Sequence, residues 1–481
     1  MKTGRTILKN FASLVTADIL VKAVGFVVTL YLARRFSANE FGAFSFAISI
    51  VNYFSFVTDP GLTTYGATRT AREPLRVSDY INTVLSVRLV LTAAAFIAVA
   101  AVAALIPQPA VIKALILCYG VMLFPQAVNP SWIYQGLQKM ELVGAYNVAH
   151  SLFYAGLIFG LTAFWPDVRL VPVSLTLAYF LASAIFLVPV FTGYYDGFRM
   201  TGLREAFAAA KESLPIGVST FLVAGVNWNL STTLLGFLAS QEQTGYFSIA
   251  MKLGLVIMGG GIAFGMTLLP VFSKHMESSR DTAEKVLSLS EKAILLAGLP
   301  VIFGVLATAD PVMSSVFGVK YLPAGSTLKL LIPGAVLYAL NLVHYVYMIA
   351  EGRQVANMWI SAARTAALAA LSVPLVLAKG ADGAAAAYTA AELMAFCVYL
   401  GKVKTPVGPL ARMAAALPKP LAASLIMFAA VYAIPQSHAL LKIPAGVLVY
   451  AAAIFAVGGV RAGEIRKLAS YAKGGRPPEE K

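Results

Sequence analysis

The chain is divided into apolar runs of about twenty residues, each closed by charges, Gly or Pro, and that division leaves few folds open to it. A helix of such length rises about 30 Å, enough to cross the hydrocarbon of a bilayer. Fourteen candidate spans can be drawn: approximately 11–33, 41–60, 79–105, 111–134, 141–164, 169–192, 213–236, 243–271, 286–306, 325–349, 357–378, 382–401, 413–434 and 441–460. Of the 481 residues, 59% are hydrophobic and 12% charged, about half the charge fraction of a soluble domain. The expected fold class is therefore an all-α integral membrane protein with about fourteen transmembrane helices. The basic opening "MKTGRTILKN" leads into a run of full spanning length with no small-residue cleavage site, which reads as a retained first helix. Cys118 and Cys397 fall inside apolar runs and suggest neither a disulfide framework nor a metal site.

Lys and Arg collect on the cytoplasmic side of membrane proteins, so their distribution sets the orientation. With the N-terminus inside, 24 of the 37 fall in cytoplasmic segments and only seven on the opposite side: Arg34, Arg35, Lys113, Arg169, Lys320, Lys379 and Lys442. Both termini are then cytoplasmic, which requires an even number of spans. The net charge of +15 is a product of this topology and does not point to nucleic acid. The ending "KGGRPPEEK" reads as a disordered cytoplasmic tail.

An internal repeat underlies the spans. "FSANEFGAFSFAIS" (36–49) and "ASQEQTGYFSIAMK" (239–252) align at an offset of 203 residues, and "YQGLQ" (134–138) echoes "AEGRQ" (350–354). Six spans per half with matching punctuation is the pattern of a duplicated transporter, and an even number gives both halves one orientation. The expected organisation is an N-terminal lobe at 1–200, a C-terminal lobe at 201–405, two extra helices at 406–465 and a tail at 466–481.

Three stretches resemble a known family: "NFASLVTADILVKAVGFVVTLYLARRFSANEFGAFSFAISIVNYFSFVTDPGL" (10–62), "GLQKMELVGAYN" (136–147) and "SSVFGVKYLPAGSTLKLL" (314–331). The chain is similar to the polysaccharide-transport branch of the superfamily that also holds multidrug and toxin exporters and peptidoglycan-precursor flippases. The resemblance implies two six-helix lobes around a central cavity. It also implies alternating-access translocation of polyprenyl-diphosphate-linked oligosaccharide across the bacterial inner membrane, for cell-surface polysaccharide synthesis. Membrane lipids, a coupling H+ or Na+, and polysaccharide polymerase machinery are the further partners it suggests; no cofactor is expected.

Asp18 and Lys22 stand four residues apart, on one helix face in the middle of the first run, where an unpaired charge costs several kcal/mol. One reading makes them a neutralising pair at a helix contact. The other makes them line a watery lumen, because Lys22, Arg88, Lys252 and Arg364 all fall about 7 to 12 residues inside their spans, a depth suited to countering a diphosphate. These four are the candidate substrate-binding residues. Asp18 and Glu392 are candidate coupling or lumen acids, and an internal salt bridge is the competing account of each. Asp59 in "VTDPGL" ends the second span, where capping the turn suffices to explain it. "GGGIAFG" (259–265) and Pro125, Pro130, Pro270 and Pro333 suit helix bending or close packing. His150, His275, His344 and His438 show no ligand spacing, so no metal is inferred.

Two rival functions were weighed. A membrane glycan polymerase would be expected to carry a large outside loop, and the longest here is about 307–324. An ion-coupled multidrug antiporter usually has twelve spans and takes cations, which the candidate set would repel. No phosphate-binding loop is present in the sequence, so the energy has to come from an ion gradient, the membrane potential or downstream consumption. The orientation is directly testable. With Cys118 and Cys397 replaced by Ser, single cysteines at Asn39 or Gln241 should react with an impermeant thiol reagent in intact cells, and ones at Ser78 or Ser278 should not; the reverse pattern would invert the topology.

Overall fold

The computed structural model describes residues 2–221, 227–403, 408–435 and 439–459, so the expected tail at 466–481 and His438 lie outside the described residues. Every element among the described residues is helical. The helices are α1 (Lys2–Arg35), α2 (Ala38–Thr58), α3 (Leu62–Arg72), α4 (Val77–Leu105), α5 (Ala110–Val121), α6 (Leu123–Ala127), α7 (Ser131–Gly136), α8 (Met140–Phe164), α9 (Leu170–Gly193), α10 (Leu203–Thr220), α11 (Asn227–Leu238), α12 (Gln241–Ser278), α13 (Arg280–Val312), α14 (Ala324–Ala350), α15 (Gln354–Lys402), α16 (Pro409–Ala416), α17 (Pro418–Ala433) and α18 (Ala439–Ala456).

Each of the fourteen predicted spans falls on helix. Among the described residues ten stretches are long and apolar enough to cross a membrane, and α16 with α17, bent by 43°, meet the same measure together. The seventh span corresponds to α10 and α11 on either side of 222–226, and the fourteenth to α18. The fourth is broken into α5, α6 and α7, with Pro125 inside α6 and Pro130 at the start of α7. Pro270 and Pro333, by contrast, lie inside continuous helices.

The eleventh and twelfth spans are joined in α15, whose 49 residues would form a straight rod of about 74 Å. Gly380 interrupts it with φ 54° and ψ −126°, a backbone conformation closed to side-chain-bearing residues. Arg364 and Glu392, 28 residues apart, are bridged at 2.9 Å, whereas a straight helix would hold them about 42 Å apart. The chain therefore doubles back at Gly380 into a hairpin. Gln243 of α12 accepts the Ala381 N–H at 2.9 Å and stabilises the turn.

By packing, the chain forms two compact units, 1–236 and 237–481. In the first, α1 packs on α8, α8 on α9, α2 on α4 and α5, and α10 on α3 and α4. In the second, α12 lies along α14, α14 along α15, and the C-terminal α17 and α18 lie on α13. Close approach explains part of the glycine-rich run in α12: a methyl on Gly261 would sit 2.7 Å from Ala339 Cβ of α14.

The repeat has a physical content that residue identity only partly conveys. Ser37 and Ser240 each cap the helix that follows, accepting the N–H of Glu40 and Gln243 respectively. Glu40 also bonds back to the Ser37 N–H, completing a capping box. The fourth and tenth spans both end in a Schellman turn, with Gln138 (φ 59°) and Gly352 (φ 76°) in the left-handed position. The bonds Lys139 N–H to Tyr134 O and Arg353 N–H to Met348 O close the two turns. Their offset is 214 residues, two fewer than the letter match of "YQGLQ" with "AEGRQ" suggests.

Gly380→Ala should lower the thermal midpoint of the detergent-solubilised protein. It imposes about 1–3 kcal/mol of backbone strain and a methyl 2.6 Å from Gln243 Oε1. Gly401→Ala, in the same helix with open space around it, should leave the midpoint unchanged or raise it slightly. Equal melting of the two variants would contradict the turn.

Candidate functional site

The second span stops at Asp59–Pro60–Gly61 and resumes as α3. Gly61 has φ 88°, and its N–H donates to Asp59 O at 2.7 Å. Oδ1 of Asp59 accepts the Thr63 N–H at 2.9 Å, so the expected turn-capping role is present. Oδ2 accepts the Thr63 hydroxyl and, at 2.7 Å, Nη2 of Arg88 from α4. The Arg88 side chain is 4% exposed and that of Asp59 30%, so the pair closes the inner end of a recess that stays open at the carboxylate.

The opposite wall comes from the broken fourth span. Ser55, Thr58, Asp59, Thr63 and Arg88 face Gln126, Ala127, Asn129, Ser131, Trp132 and Gln135, and Tyr179 of α9 completes a cavity of about 280 Å³. A continuous helix between Pro125 and Pro130 would bury the backbone and amide groups that line this wall; the break presents them. Ser131 N–H donates to Asn129 Oδ1 at 2.9 Å, and Tyr179 stacks on His150 with centroids 3.9 Å apart. Two buried polar atoms here, Arg88 Nε and Ser131 Oγ, have no hydrogen-bond partner among the described residues. The cavity thus offers a neutralised guanidinium, amides, hydroxyls and two aromatic faces, a lining able to bind phosphate oxygens or sugar hydroxyls.

The sequence-predicted residues are divided between the two units. Asp18 and Lys22 pair at 2.7 Å on α1, with side chains 60% and 57% exposed, and neither lines the cavity. Arg88 lines it. Arg364 and Glu392, assigned to separate roles from sequence, bond to each other across the α15 hairpin; Glu392 also accepts from Asn341 Nδ2 at 2.8 Å, and Arg364 lies over the Tyr338 ring. Lys252 stands exposed on α12 with no partner among the described residues.

Sequence reasoning missed a second buried charge site. Glu291 (α13), His344 (α14) and Arg412 (α16) meet in the second unit with side chains 1%, 0% and 6% exposed. Arg412, grouped by sequence with the cytoplasmic loop cations, is instead buried in a helix and donates to both oxygens of Glu291, through Nη2 at 2.9 Å and Nε at 3.2 Å. His344, read as one of four scattered histidines, faces Glu291 at 3.0 Å. The repeat held the signal. The 203-residue offset that aligns Ser37 with Ser240 also carries Arg88 onto Glu291, each the twelfth residue of its helix.

Comparison with known proteins agrees with this architecture. The lipid II flippase MurJ in an inward closed conformation superposes with a TM-score of 0.75 over 93% of this chain and 99% of that one, at 16% identity. An inward-facing multidrug-resistance MATE family transporter of the MOP superfamily superposes with a TM-score of 0.63 over 83% and 95%, at 15% identity. Both solved structures are of transporters. In sequence, the probable low-salt glycan biosynthesis flippase Agl15 of Haloferax volcanii is 25% identical over 190 residues, and the match spans 38% of each chain. Residues 7–276 match the profile of the polysaccharide biosynthesis protein family, more than half of the chain, and the chain belongs to that family.

Proposed function

We propose that this protein flips polyprenyl-diphosphate-linked oligosaccharide from the cytoplasmic to the outer leaflet of the cytoplasmic membrane, with both termini inside. The observation that carries the reading is the Arg88–Asp59 cavity: a polar, hydrogen-bonding recess of about 280 Å³ within a unit of apolar helices. Such a recess can take a hydrophilic headgroup while the lipid tail stays in hydrocarbon. Membership of a polysaccharide biosynthesis family and partial similarity to a protein described as a glycan biosynthesis flippase support the substrate class over a cationic drug.

The candidate cations take different parts in this reading. Lys22 and Arg364 are each balanced by a carboxylate, Asp18 and Glu392, and act as pairs. Arg88 is balanced by Asp59 yet keeps Nε unbonded, and supplies a directional donor. Lys252 has no such balance and supplies net countercharge to the diphosphate. Alternating access then needs no nucleotide, only a bias from an ion gradient or from consumption of the product. Depletion of the protein should accumulate one lipid-linked oligosaccharide in the cytoplasmic leaflet; drug sensitivity without that accumulation would overturn the substrate class.

Two substitution experiments refine the assignment. Lys252→Ala should leave membrane insertion and thermal stability unchanged and reduce export about tenfold or more, because no internal partner is stranded; normal export would remove Lys252 from the site. At the cavity the two partners should behave unequally. Asp59→Ala strands a buried guanidinium, at a cost toward the lower end of about 3–5 kcal/mol, while Arg88→Ala leaves a carboxylate that water reaches. Both should lose export, and the melting point should fall further for Asp59→Ala; the opposite order would argue against the pair as described.

A further inference from the structure

The Glu291–His344–Arg412 group cannot satisfy its hydrogen bonds with the protons that its members carry as an ordinary ion pair and a neutral imidazole. Nδ1 of His344 lies 2.9 Å from Leu340 O, which can only accept, so Nδ1 carries a hydrogen. Nε2 lies 3.0 Å from Glu291 Oε1. If the imidazole is neutral, Nε2 is a bare lone pair facing a carboxylate oxygen, and two acceptors repel. A hydrogen has to lie between them, on Nε2 as imidazolium or on Glu291 as the acid. Arg412 adds no relief, because a guanidinium can only donate, and its Nε and Nη2 donate to the carboxylate.

We propose that Glu291 and His344 hold one exchangeable proton between them and that this is the coupling-ion site of the transport cycle, an inference that rests on the transport function proposed above. When the proton leaves, Nε2 and Oε1 become mutually repulsive and the only polar link between α13 and α14 at this point opens among the described residues, while the fork from Arg412 keeps α13 joined to α16. Protonation thus decides whether this buried link between α13 and α14 is made, while Lys329–Asp310 and Arg280–Glu351 join the two helices toward their ends. On the orientation that the cation distribution sets, Glu291 lies eleven residues in from the cytoplasmic start of α13 and His344 six residues from the cytoplasmic end of α14, so proton exchange is with the cytoplasm.

The surroundings contain few competitors for the proton. From α15, Tyr399 stacks on the His344 ring at 6.0 Å and Phe396 meets it edge-on at 5.8 Å. On α14, Tyr347 is one turn away, with Phe272 of α12 against its ring. Lys419 of α17 is turned onto Gly458 O. The remaining charges nearby, Arg280, Glu284 and Glu351, are bonded to one another at the cytoplasmic ends of α13 and α14.

Glu291→Gln provides the test, since it removes the titratable carboxyl while keeping a side chain of the same shape that can hydrogen-bond. In the purified full-length protein, the wild-type thermal midpoint should fall as pH is raised and the proton departs, and that of Glu291→Gln should stay flat over the same range. His344→Gln, which removes the second partner, should also lose the pH response. If wild type and Glu291→Gln track each other with pH, no shared proton exists and the proposal fails. In proteoliposomes, reversing an imposed pH gradient should change the wild-type flipping rate of a polyprenyl-diphosphate-linked oligosaccharide at least severalfold and have no effect in Glu291→Gln. A normal gradient response in that variant would make the proton structural and overturn the coupling role. Wild type that shows the melting difference but flips no lipid-linked sugar would instead overturn the transport function and leave the proton site standing.

Discussion

A charge buried among apolar helices has to be compensated where it lies, because neither lipid nor a packed core can solvate it. This requirement organises the polar interior of both units. In the first, Arg88 reaches Asp59 at the break between α2 and α3, and the compensated pair becomes the floor of a cavity. In the second, Glu291 draws in His344 and Arg412, and all three side chains are almost fully buried. Close helix contacts, proline breaks and the left-handed turns then serve to bring these partners within bonding distance.

The two sites are counterparts. A duplication aligned by its N-cap serines puts a cation at the twelfth residue of α4 and an anion at the twelfth residue of α13. The backbone devices repeat more faithfully than the residues: Gln138 and Gly352 share a left-handed turn although they share no chemistry. One half has kept its charge pair accessible, and the other has sealed its own with a third member from outside the duplicated region, since Arg412 belongs to the added helices. On the function proposed above, corresponding positions would serve ligand contact in one half and a proton in the other.

The spans were legible in the sequence because each is a local property: length, apolarity and a terminating charge suffice, and they located even the hairpin at Lys379–Gly380 inside what is otherwise one unbroken helix. The turn that Asp59 caps after α2 was legible for the same reason. Partner choice was not. Depth along a span singled out Arg364 and Glu392, yet nothing in a linear pattern says that two residues 28 apart face each other across a turn. Arg412 was misplaced because its neighbours in sequence are loop-like and basic, and only the packing of α16 against α13 reveals what it answers to.

The hairpin of α15 also constrains how the chain enters the bilayer. A helix carrying Arg364 near its middle would partition into lipid alone at a penalty of about 2.5–3.5 kcal/mol, and one carrying Glu392 would be opposed likewise. Folded back at Gly380, the two present each charge to the other before either has met lipid. Inserted together, the eleventh and twelfth spans would present the bilayer with a hairpin in which Arg364 and Glu392 are already paired. The glycine that turns the chain is thus what lets two singly charged spans meet lipid as one compensated pair.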